Sequence, residues 1–433
     1  MNFSPKEILD FVTENDVKFI RLTFCDMQGN LKNIAIMPGE LPRAFSHGIV
    51  LDAAGFSDCY QDLLLVPDIS TLSVLPWRPK SGRVVRFFCN IQNLDGTPYA
   101  GELRYTLQSY IQKLYTKGYS CELGTKSEFY LFDCDHDGKP TKIPHDHAGY
   151  LDVAPLDKCE NVRREICLSL EEMGLHPQRS CHKYGAGQNE IDFKCSEPVT
   201  AADNMVHYKN VVKTIAAQNG LYASFMPKPL SGTYGSALTI VMSLKYQNRN
   251  IFELENKKLS PEGSAFIAGI LDHAPEMTVF LNPIVNSYTR LRHSGAPNHI
   301  NWSFENRNPL IRVHEAVGES ARIDIRSADC CCNPYLSFRL LLAAGIDGMN
   351  RKLILPEDLI VTGTSSKEFR EFQTLPATLR EACEIAEKSE FIRENLPEEI
   401  LRNFYQNVKK QLALYDAAED KAIFEEQQYF LSE

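Results

Sequence analysis

The sequence has no run of about 18 apolar residues, the length that crosses a bilayer, and no apolar segment near its first residues. We therefore expect a cytoplasmic protein that has no membrane as a partner. No cluster of basic residues offsets the formal net charge of −10 at pH 7. This acidic balance also disfavours a nucleic-acid partner.

Paired cysteines are missing as well, although cysteine itself is frequent. The 13 cysteines include no Cys-x-x-Cys pair, and only Cys330, Cys331 and Cys332 are adjacent. Adjacent cysteines do not have the spacing of a structural zinc site, so we expect reduced thiols in a reducing compartment. The sequence assigns no role to these three cysteines.

The size and composition are those of a large globular protein. The chain has 433 residues, of which 43% are hydrophobic and 24% are charged. This length exceeds one ordinary core and predicts two or three domains, or one large domain with an appendage. Strand patterns dominate residues 1–100, and long helical patterns alternate with strands beyond them. We therefore expect an α+β protein with domains over residues 1–100 and 101–433.

Hydrophobic periodicity and capping residues predict individual elements. Ser4 and Pro5 have the chemistry of a helix start, and we expect that helix to reach Phe11. The predicted N-terminal strands cover residues 17–24, 31–37 and 83–91. The predicted later helices cover residues 102–117, 160–173, 201–218, 381–390 and 398–415. We interpret the acidic segment 416–426 as a solvated surface.

Three short segments alternate charged or polar residues with apolar ones, as a strand with two different faces does. They are residues 126–132, 190–194 and 322–326. In the first segment, Lys126 and Glu128 point the same way. Solvated faces of antiparallel strands have this pattern too, so each segment alone supports either interpretation.

Motifs spread along essentially the whole chain resemble the type I glutamine synthetase family. Each motif is a weak signal alone, but their order and spacing identify the chain as a member. They are residues 19–29, 65–68, 128–132, 187–191, 225–229, 282–288, 306–307, 322–326 and 333–336. The resemblance implies an N-terminal β-grasp domain followed by a large catalytic-type domain with a curved antiparallel sheet and flanking helices.

The reaction of that family explains which residues matter. ATP phosphorylates the γ-carboxylate of glutamate, and ammonia then displaces the phosphate. All reacting groups are anionic, so divalent cations and arginines must neutralise charge in the transition state. The resemblance also implies a homo-oligomeric ring, a dodecamer of two stacked hexamers with active-site funnels between neighbouring subunits.

The arginines that handle phosphate and carboxylate in the family are largely kept. By resemblance, Arg290 contacts glutamate, and Arg326 holds the substrate α-carboxylate. Arg307 and Arg312 match the pair that faces the transferring phosphate, and Arg322 matches a nucleotide contact. Pairing of these arginines with surface acids is the alternative interpretation.

Two further positions are carried over from the family with partial matches. Asp52 lies where the ammonium-binding aspartate belongs, although the Gly-Ser-Ser that usually follows is replaced by residues 53–55, Ala-Ala-Gly. Ser243 matches a residue on the nucleotide side of the strand that carries Thr239. We expect Ser243, Arg312 and Arg322 to form the nucleotide and phosphate contacts.

The metal ligands depart from the family pattern. Of six expected ligands, three remain as carboxylates, at Glu128, Glu190 and Asp324. The other three positions hold Lys126, Lys183 and Thr239. Outside the ligand set, the asparagine before Gly235 is replaced by Tyr234, and the flap at residues 293–297 is shorter and lacks its glutamate.

Lysine cannot serve as a ligand, because an ammonium has no lone pair to offer magnesium or manganese. At about 4 Å from a divalent ion, an ammonium is repelled by roughly 8 kcal/mol at an effective dielectric near 20. We therefore expect Lys126 and Lys183 to replace the metal charges and to pair with Glu128, Glu190 or Asp324. The alternative is that both lysines turn outward and one metal site remains.

These substitutions lead to three hypotheses on function. The first is a family member with little or no ligase activity that acts as a structural, regulatory or binding protein, alone or together with an active paralogue. In it, magnesium or manganese binds weakly or not at all, while ATP still has arginines to contact. The second is an active ATP-dependent ligase that joins glutamate to ammonia or to an amine with altered metal use. The third is a sensor of a small-molecule anion.

Overall fold

Capping residues at the N-terminus set the first helix as the sequence predicts. The computed structural model describes residues 3–53, 61–78, 81–293, 295–304, 306, 309–358 and 372–431. The Ser4 hydroxyl accepts from the Glu7 amide, and the Glu7 carboxylate accepts from the Ser4 amide at 2.6 Å, which forms a capping box. This helix, α1, extends to Glu14, beyond the predicted Phe11, because Ile8 and Val12 are both buried.

A mixed sheet follows α1; three of its six described strands agree with those predicted over residues 17–24, 31–37 and 83–91, and the sequence did not predict the other three. The strands are β1 (Val17–Cys25), β2 (Leu31–Ile36), β3 (Ile49–Asp52), β4 (Asp62–Pro67), β5 (Ser73–Val74) and β6 (Arg83–Gln92). They are ordered β2-β1-β6-β4-β3, with β5 beside β6, and β1 runs parallel to β6. The apolar face of this sheet buries a core that includes Ile20, Leu22, Val85 and Phe87.

A second sheet, of ten strands among the described residues, is built around one long strand, β7. The strands are β7 (Tyr119–Cys134), β8 (Pro140–Pro144), β9 (Pro177–His182), β10 (Gln188–Phe193), β11 (Leu221–Ser224), β12 (Leu238–Tyr246), β13 (Arg249–Asn250), β14 (Trp302–Ser303), β15 (Ile311–Val313) and β16 (Ile323–Ile325). The order is β14-β15-β16-β12-β7-β10-β9, and most neighbours are antiparallel. The three alternating segments of the sequence therefore lie on β7, β10 and β16, three strands of a single sheet.

Helices flank both sheets. They are α1 (Pro5–Glu14), α2 (Leu41–His47), α3 (Leu103–Thr116), α4 (Glu160–Glu172), α5 (Pro198–Gln218), α6 (Pro261–Asp272), α7 (Ala274–Leu281), α8 (Val285–Leu291), α9 (Pro334–Arg351), α10 (Leu379–Lys388), α11 (Glu390–Asn395), α12 (Glu398–Ala417) and α13 (Lys421–Glu425). Among the described residues, none of these helices combines the length and apolar character needed to cross a membrane.

Two predicted helices differ from the structure in ways that side-chain caps explain. Helix α5 begins at Pro198, ahead of the predicted residue 201, because the Glu197 carboxylate accepts from the amides of Val199 and Thr200. The segment predicted over residues 381–390 is interrupted, because Ser389 adopts an extended conformation and caps α11. Local capping chemistry explains both differences.

Arg104 connects the N-terminal sheet to helix α5. Its buried guanidinium donates to Asp203 on α5 at 3.0 Å, to Asp68 at 2.8 Å and to Asn90 on β6 at 2.7 Å. Removal of one partner from such a buried pair is strongly destabilising, because the remaining charges lose their counterion. The contact therefore holds the N-terminal sheet against helix α5.

Helices α6 and α9 approach each other closely at two glycines. A Cβ atom at Gly269 would lie 2.2 Å from the Ala344 carbonyl oxygen, and one at Gly348 would lie 2.2 Å from the Ala265 carbonyl oxygen. No larger residue fits at either position unless the helices move apart. This close crossing fixes the helical layer that lies behind the larger sheet.

Candidate functional site

The face of the larger sheet that carries the charged residues lines a cavity of about 730 Å³. Strand pairing brings the charged positions together: Glu128 on β7 lies opposite Glu190 on β10, and Lys126 lies opposite Thr239 on β12. Asp324 on β16 lies opposite Val241, two residues from Thr239 on the same strand. Because side chains alternate along strands, all of these positions share the face that borders the cavity.

Lys183 bridges two of the three remaining carboxylates. Its Nζ atom lies 3.1 Å from Glu128 Oε1 and 3.0 Å from Glu190 Oε2. Burial lowers the pKa of Lys183, but the two carboxylates outweigh burial and raise the pKa above its ordinary value. Lys183 follows β9 at the hairpin to β10, where its amide donates to the Gln188 carbonyl at 2.8 Å. The ammonium is therefore held between the two strands that carry the acids.

Lys126 pairs with the third carboxylate. Its Nζ atom donates to Asp324 Oδ2 at 2.5 Å, and His314 Nε2 lies 3.0 Å from the same oxygen. Burial raises the pKa of Asp324, but His314 and Lys126 lower it more strongly, to about 2. The expected pairing of both lysines with the retained acids is therefore present.

Arg179, Asp192 and His314 belong to this cluster, although no sequence motif assigned them a role. Arg179 on β9 lies 3.1 Å from Glu190 and 2.8 Å from Asp192. The signal for Arg179 was its period-two spacing with residue 181 and Lys183 along β9. His314 follows β15 and had no comparable local signal, because only the pairing of β15 with β16 brings it to Asp324.

This donor set does not fit a pair of divalent cations. Each of the three retained acids lies within salt-bridge distance of a lysine, and Glu190 also contacts Arg179. Ammonium and guanidinium groups have no free lone pairs and repel a cation. At Thr239, where the family resemblance places a histidine ligand, the chain offers only a hydroxyl, which is a weaker donor. Cationic side chains neutralise these carboxylates, so their burial does not require the charge of a metal ion.

Retained arginines line the same cavity. Arg290, at the end of α8, is buried and donates to the Asn282 side chain at 2.8 Å and to the Ser327 carbonyl. Arg312 and Arg322 each have a buried Nε atom without a hydrogen-bond partner in the described part of the chain. Arg326 also lines the cavity, and burial lowers its pKa. The predicted phosphate contact Arg307 lies outside the described residues.

Two predicted site residues lie away from the lining of this cavity. Asp52 ends β3 in the N-terminal sheet and is exposed. Ser243 lies farther along β12, where Asn250 donates to its hydroxyl at 3.3 Å, and it lines a neighbouring cavity of about 160 Å³. The fold of one chain therefore brings together the metal-ligand positions and the described arginines, but neither Asp52 nor Ser243.

Comparison with known proteins gives matches along nearly the whole chain. A model described as the glutamine synthetase β-grasp domain matches residues 16–94, and one described as the glutamine synthetase catalytic domain matches residues 100–427. The glutamine synthetase of Methanosarcina mazei is 40% identical over 412 residues, which cover 93% of this chain and 92% of the relative. That of Clostridium saccharobutylicum is 39% identical over 413 residues, which cover 93% of both chains.

Solved structures match over the full fold. The structure named "Apo GmaS without ligand" has a TM-score of 0.86 and 26% identity, and the match covers 98% of this chain and 99% of that one. The cryoEM structure of Plasmodium falciparum glutamine synthetase also has a TM-score of 0.86, with coverage of 99% of both chains. Its identity of 22% supports a common fold alone.

Proposed function

The chain belongs to the glutamine synthetase family, and we propose that it has lost most or all of that family's ordinary ligase activity. The family reaction is an ATP-dependent ligation, and the fold that hosts it is present here. The single observation that supports the loss is the pairing of Lys126 and Lys183 with Glu128, Glu190 and Asp324 at 2.5 to 3.1 Å. Those carboxylates would have to exchange a lysine for an ion before they could bind metal.

The charge of the site supports the same proposal. Relative to a site with glutamates at positions 126 and 183, two lysines shift the charge by four units. Lys126 and Lys183 pair with the retained acids, and an ammonium cannot be coordinated by the glutamate γ-carboxylate and the ATP phosphates together as a divalent ion can. Such stabilisation supplies several kcal/mol, and each ~1.4 kcal/mol is tenfold in rate. We therefore expect glutamine formation to fall by at least about 10³-fold.

The role that remains is binding. Arg312 and Arg322 still offer donors to a phosphate or carboxylate, and Arg290 and Arg326 also border the cavity. We propose that the protein binds a small anion here and acts as a structural, regulatory or sensing member of its family. Magnesium and manganese should bind weakly or not at all to the wild-type site.

The direct test is glutamine synthesis from glutamate, ammonia and MgATP or MnATP. The glutamine synthetase of Methanosarcina mazei provides the reference under the same conditions. The triple variant Lys126→Glu, Lys183→Glu and Thr239→His should regain manganese binding, measured by calorimetry, before it regains turnover, because Tyr234 and the shortened flap remain. Robust glutamine synthesis by the wild-type protein with magnesium would overturn the proposal.

A second candidate function is an active ligase with a different amine and altered metal use. The retained arginines favour it, as does the 26% identity to GmaS, for which a complex with ADP is known. In this case Lys126 would be a working part of the site. The wild-type protein should then consume ATP with some amine in a broad acceptor screen, and Lys126→Ala should abolish that consumption.

We also propose that the protein is cytoplasmic and forms a ring-shaped homo-oligomer, a dodecamer of two hexamers. Within each subunit, we propose one domain over residues 1–100 and a second over residues 101–433. The match to the cryoEM structure of the Plasmodium falciparum enzyme supports the fold of the subunit. In such a ring Asp52, which lies outside its own cavity, would border the cavity of a neighbouring subunit. Mass photometry at micromolar concentration tests the assembly, and a monomer alone would exclude it. Added active paralogue would reveal mixed rings.

A further inference from the structure

Three tyrosines form a continuous stack at the edge of the main cavity. The rings of Tyr150 and Tyr184 lie 4.3 Å apart at 7°, and those of Tyr184 and Tyr234 lie 5.1 Å apart at 32°. All three line the cavity, and each remains 40% to 49% exposed. Stacked rings that keep this much exposed surface offer a flat apolar face to another ring.

The cavity beside this stack is positively charged. Among the described residues, the lining includes seven cationic side chains and four carboxylates, a formal excess of three positive charges with histidine neutral. The cations are Lys126, Arg179, Lys183, Arg290, Arg312, Arg322 and Arg326, and the carboxylates are Glu128, Glu190, Asp192 and Asp324. Such a wall attracts anions and repels cationic ligands. Lys183 is itself the cation beside the stack, 5.9 Å from the ring centres of Tyr150 and Tyr184.

The segment that carries Tyr234, at one end of the stack, is held next to the buried Arg290. The Tyr130 hydroxyl donates to the Tyr234 carbonyl at 2.6 Å, which fixes the backbone at that point. A Cβ atom at the next residue, Gly235, would lie 2.7 Å from Arg290 Cγ. Only a glycine allows this approach, which places the Arg290 side chain directly against the segment that carries Tyr234. Arg290 is only 2% exposed.

We propose that this cavity binds a carboxylate that carries a flat aromatic ring, with its ring on Tyr234 and Tyr184 and its carboxylate on the arginines. A bidentate contact between guanidinium and carboxylate is the strong polar interaction available there. The volume of about 730 Å³ is that of a small-molecule site. This inference rests on the proposed function, because it requires a ligand that binds without divalent ions.

Calorimetric titration with phenylsuccinate and with succinate, in buffer containing a metal chelator, tests the inference. The two probes share their carboxylates and differ in the ring. Phenylsuccinate should bind about 3- to 10-fold more tightly, which is the range that aromatic stacking provides. Tyr234→Asn should remove this preference, and Tyr234→Phe should keep it. Tyr105→Leu, which changes an exposed tyrosine on α3 away from the cavity, is the matched control.

Equal affinity for the two dicarboxylates, or no binding of either, would overturn the inference, provided that the thermal melting temperature shows a folded protein. Tighter binding of benzyltrimethylammonium than of phenylsuccinate would also overturn it, since the stack would then serve a cation. The proposed function fails separately. Glutamine synthesis by the wild-type protein would overturn the proposed function, whatever the titrations show. If the wild-type protein makes no glutamine and binds phenylsuccinate no more tightly than succinate, only the present inference is overturned.

Discussion

Replacement of Lys183 by methionine should leave two buried carboxylates without their shared counterion. The ammonium lies 3.1 Å from Glu128 and 3.0 Å from Glu190, and the three side chains are only 8% to 14% exposed. Methionine keeps the length of the side chain and removes its charge. The two carboxylates would then repel each other in a site that is partly shielded from water. Glu190 would keep Arg179 as a cationic neighbour, whereas Glu128 would lose its salt bridge to Lys183.

The expected loss of stability follows from the burial of these groups. Removal of one partner of a buried ion pair costs about 3 to 5 kcal/mol, because the other charge stays buried. Arg179 still compensates Glu190, and the pair is not fully enclosed, so the lower end of this range applies. We expect the free energy of unfolding to fall by about 3 kcal/mol. An exposed ion pair contributes only about 0 to 1 kcal/mol.

The same variant should gain an affinity for divalent ions, which we propose is weak or absent in the wild-type protein. With the ammonium gone, the carboxylates of Glu128 and Glu190 become oxygen ligands for manganese. A free ion at about 100 times its dissociation constant would restore about 2.7 kcal/mol. Manganese should therefore stabilise Lys183→Met and leave the wild-type protein nearly unchanged.

Urea unfolding followed by circular dichroism, with and without millimolar manganese, measures both effects. Lys142→Met is the matched control, because Lys142 pairs with Glu426 at 2.7 Å while both side chains are more than one-third exposed. That variant should lose less than about 1 kcal/mol and should not respond to manganese. Two results would refute the reasoning: an unchanged stability of Lys183→Met, or equal stabilisation of the wild type and Lys183→Met by manganese.

Two further predictions concern stability away from the site. Burial lowers the pKa of His273, but contacts with Glu276 at 2.7 Å and Asp347 at 2.9 Å outweigh it and raise the pKa above its ordinary value. His273→Gln should therefore lower the free energy of unfolding by about 1 kcal/mol below about pH 6.5, and this loss should shrink as the pH rises above that value. A loss that grew with pH in urea unfolding would contradict this. Gly348→Ala should lower the unfolding free energy by about 1 to 3 kcal/mol in the same assay, since its Cβ meets backbone, whereas Gly39→Ala meets open space and should be neutral. Equal effects of the two alanines would contradict the close helix crossing.

Local patterns in the sequence determined much of the fold. The capping box of Ser4 and Glu7 set the start of α1, and period-two alternation located β7 through Lys126 and Glu128. These signals depend on residues that are close neighbours in the sequence, so they can be recognised without knowledge of the tertiary structure. Helix ends were less certain, as Ser389 illustrates, because a single side-chain cap decides whether a helix continues or restarts.

The partners of the charged residues depended on the register of distant strands. Lys126 and Asp324 are 198 positions apart, and antiparallel pairing of β12 with both β7 and β16 brings them together. His314 joins them only because β15 pairs with β16. The sequence predicted that the lysines would neutralise the acids, since unpaired buried carboxylates are too costly. It did not predict which lysine meets which acid.

The tyrosine stack belongs wholly to the tertiary structure. Tyr150, Tyr184 and Tyr234 come from three separate loops, and no local period relates them. The sequence by itself determined that Lys126, Lys183 and Thr239 occupy three positions where the family resemblance places metal ligands. Residue type alone decides whether a side chain has a lone pair to offer an ion. Only the folded chain decided what surrounds the altered site, because loops that converge on one cavity are positioned by the sheet beneath them rather than by their own sequence.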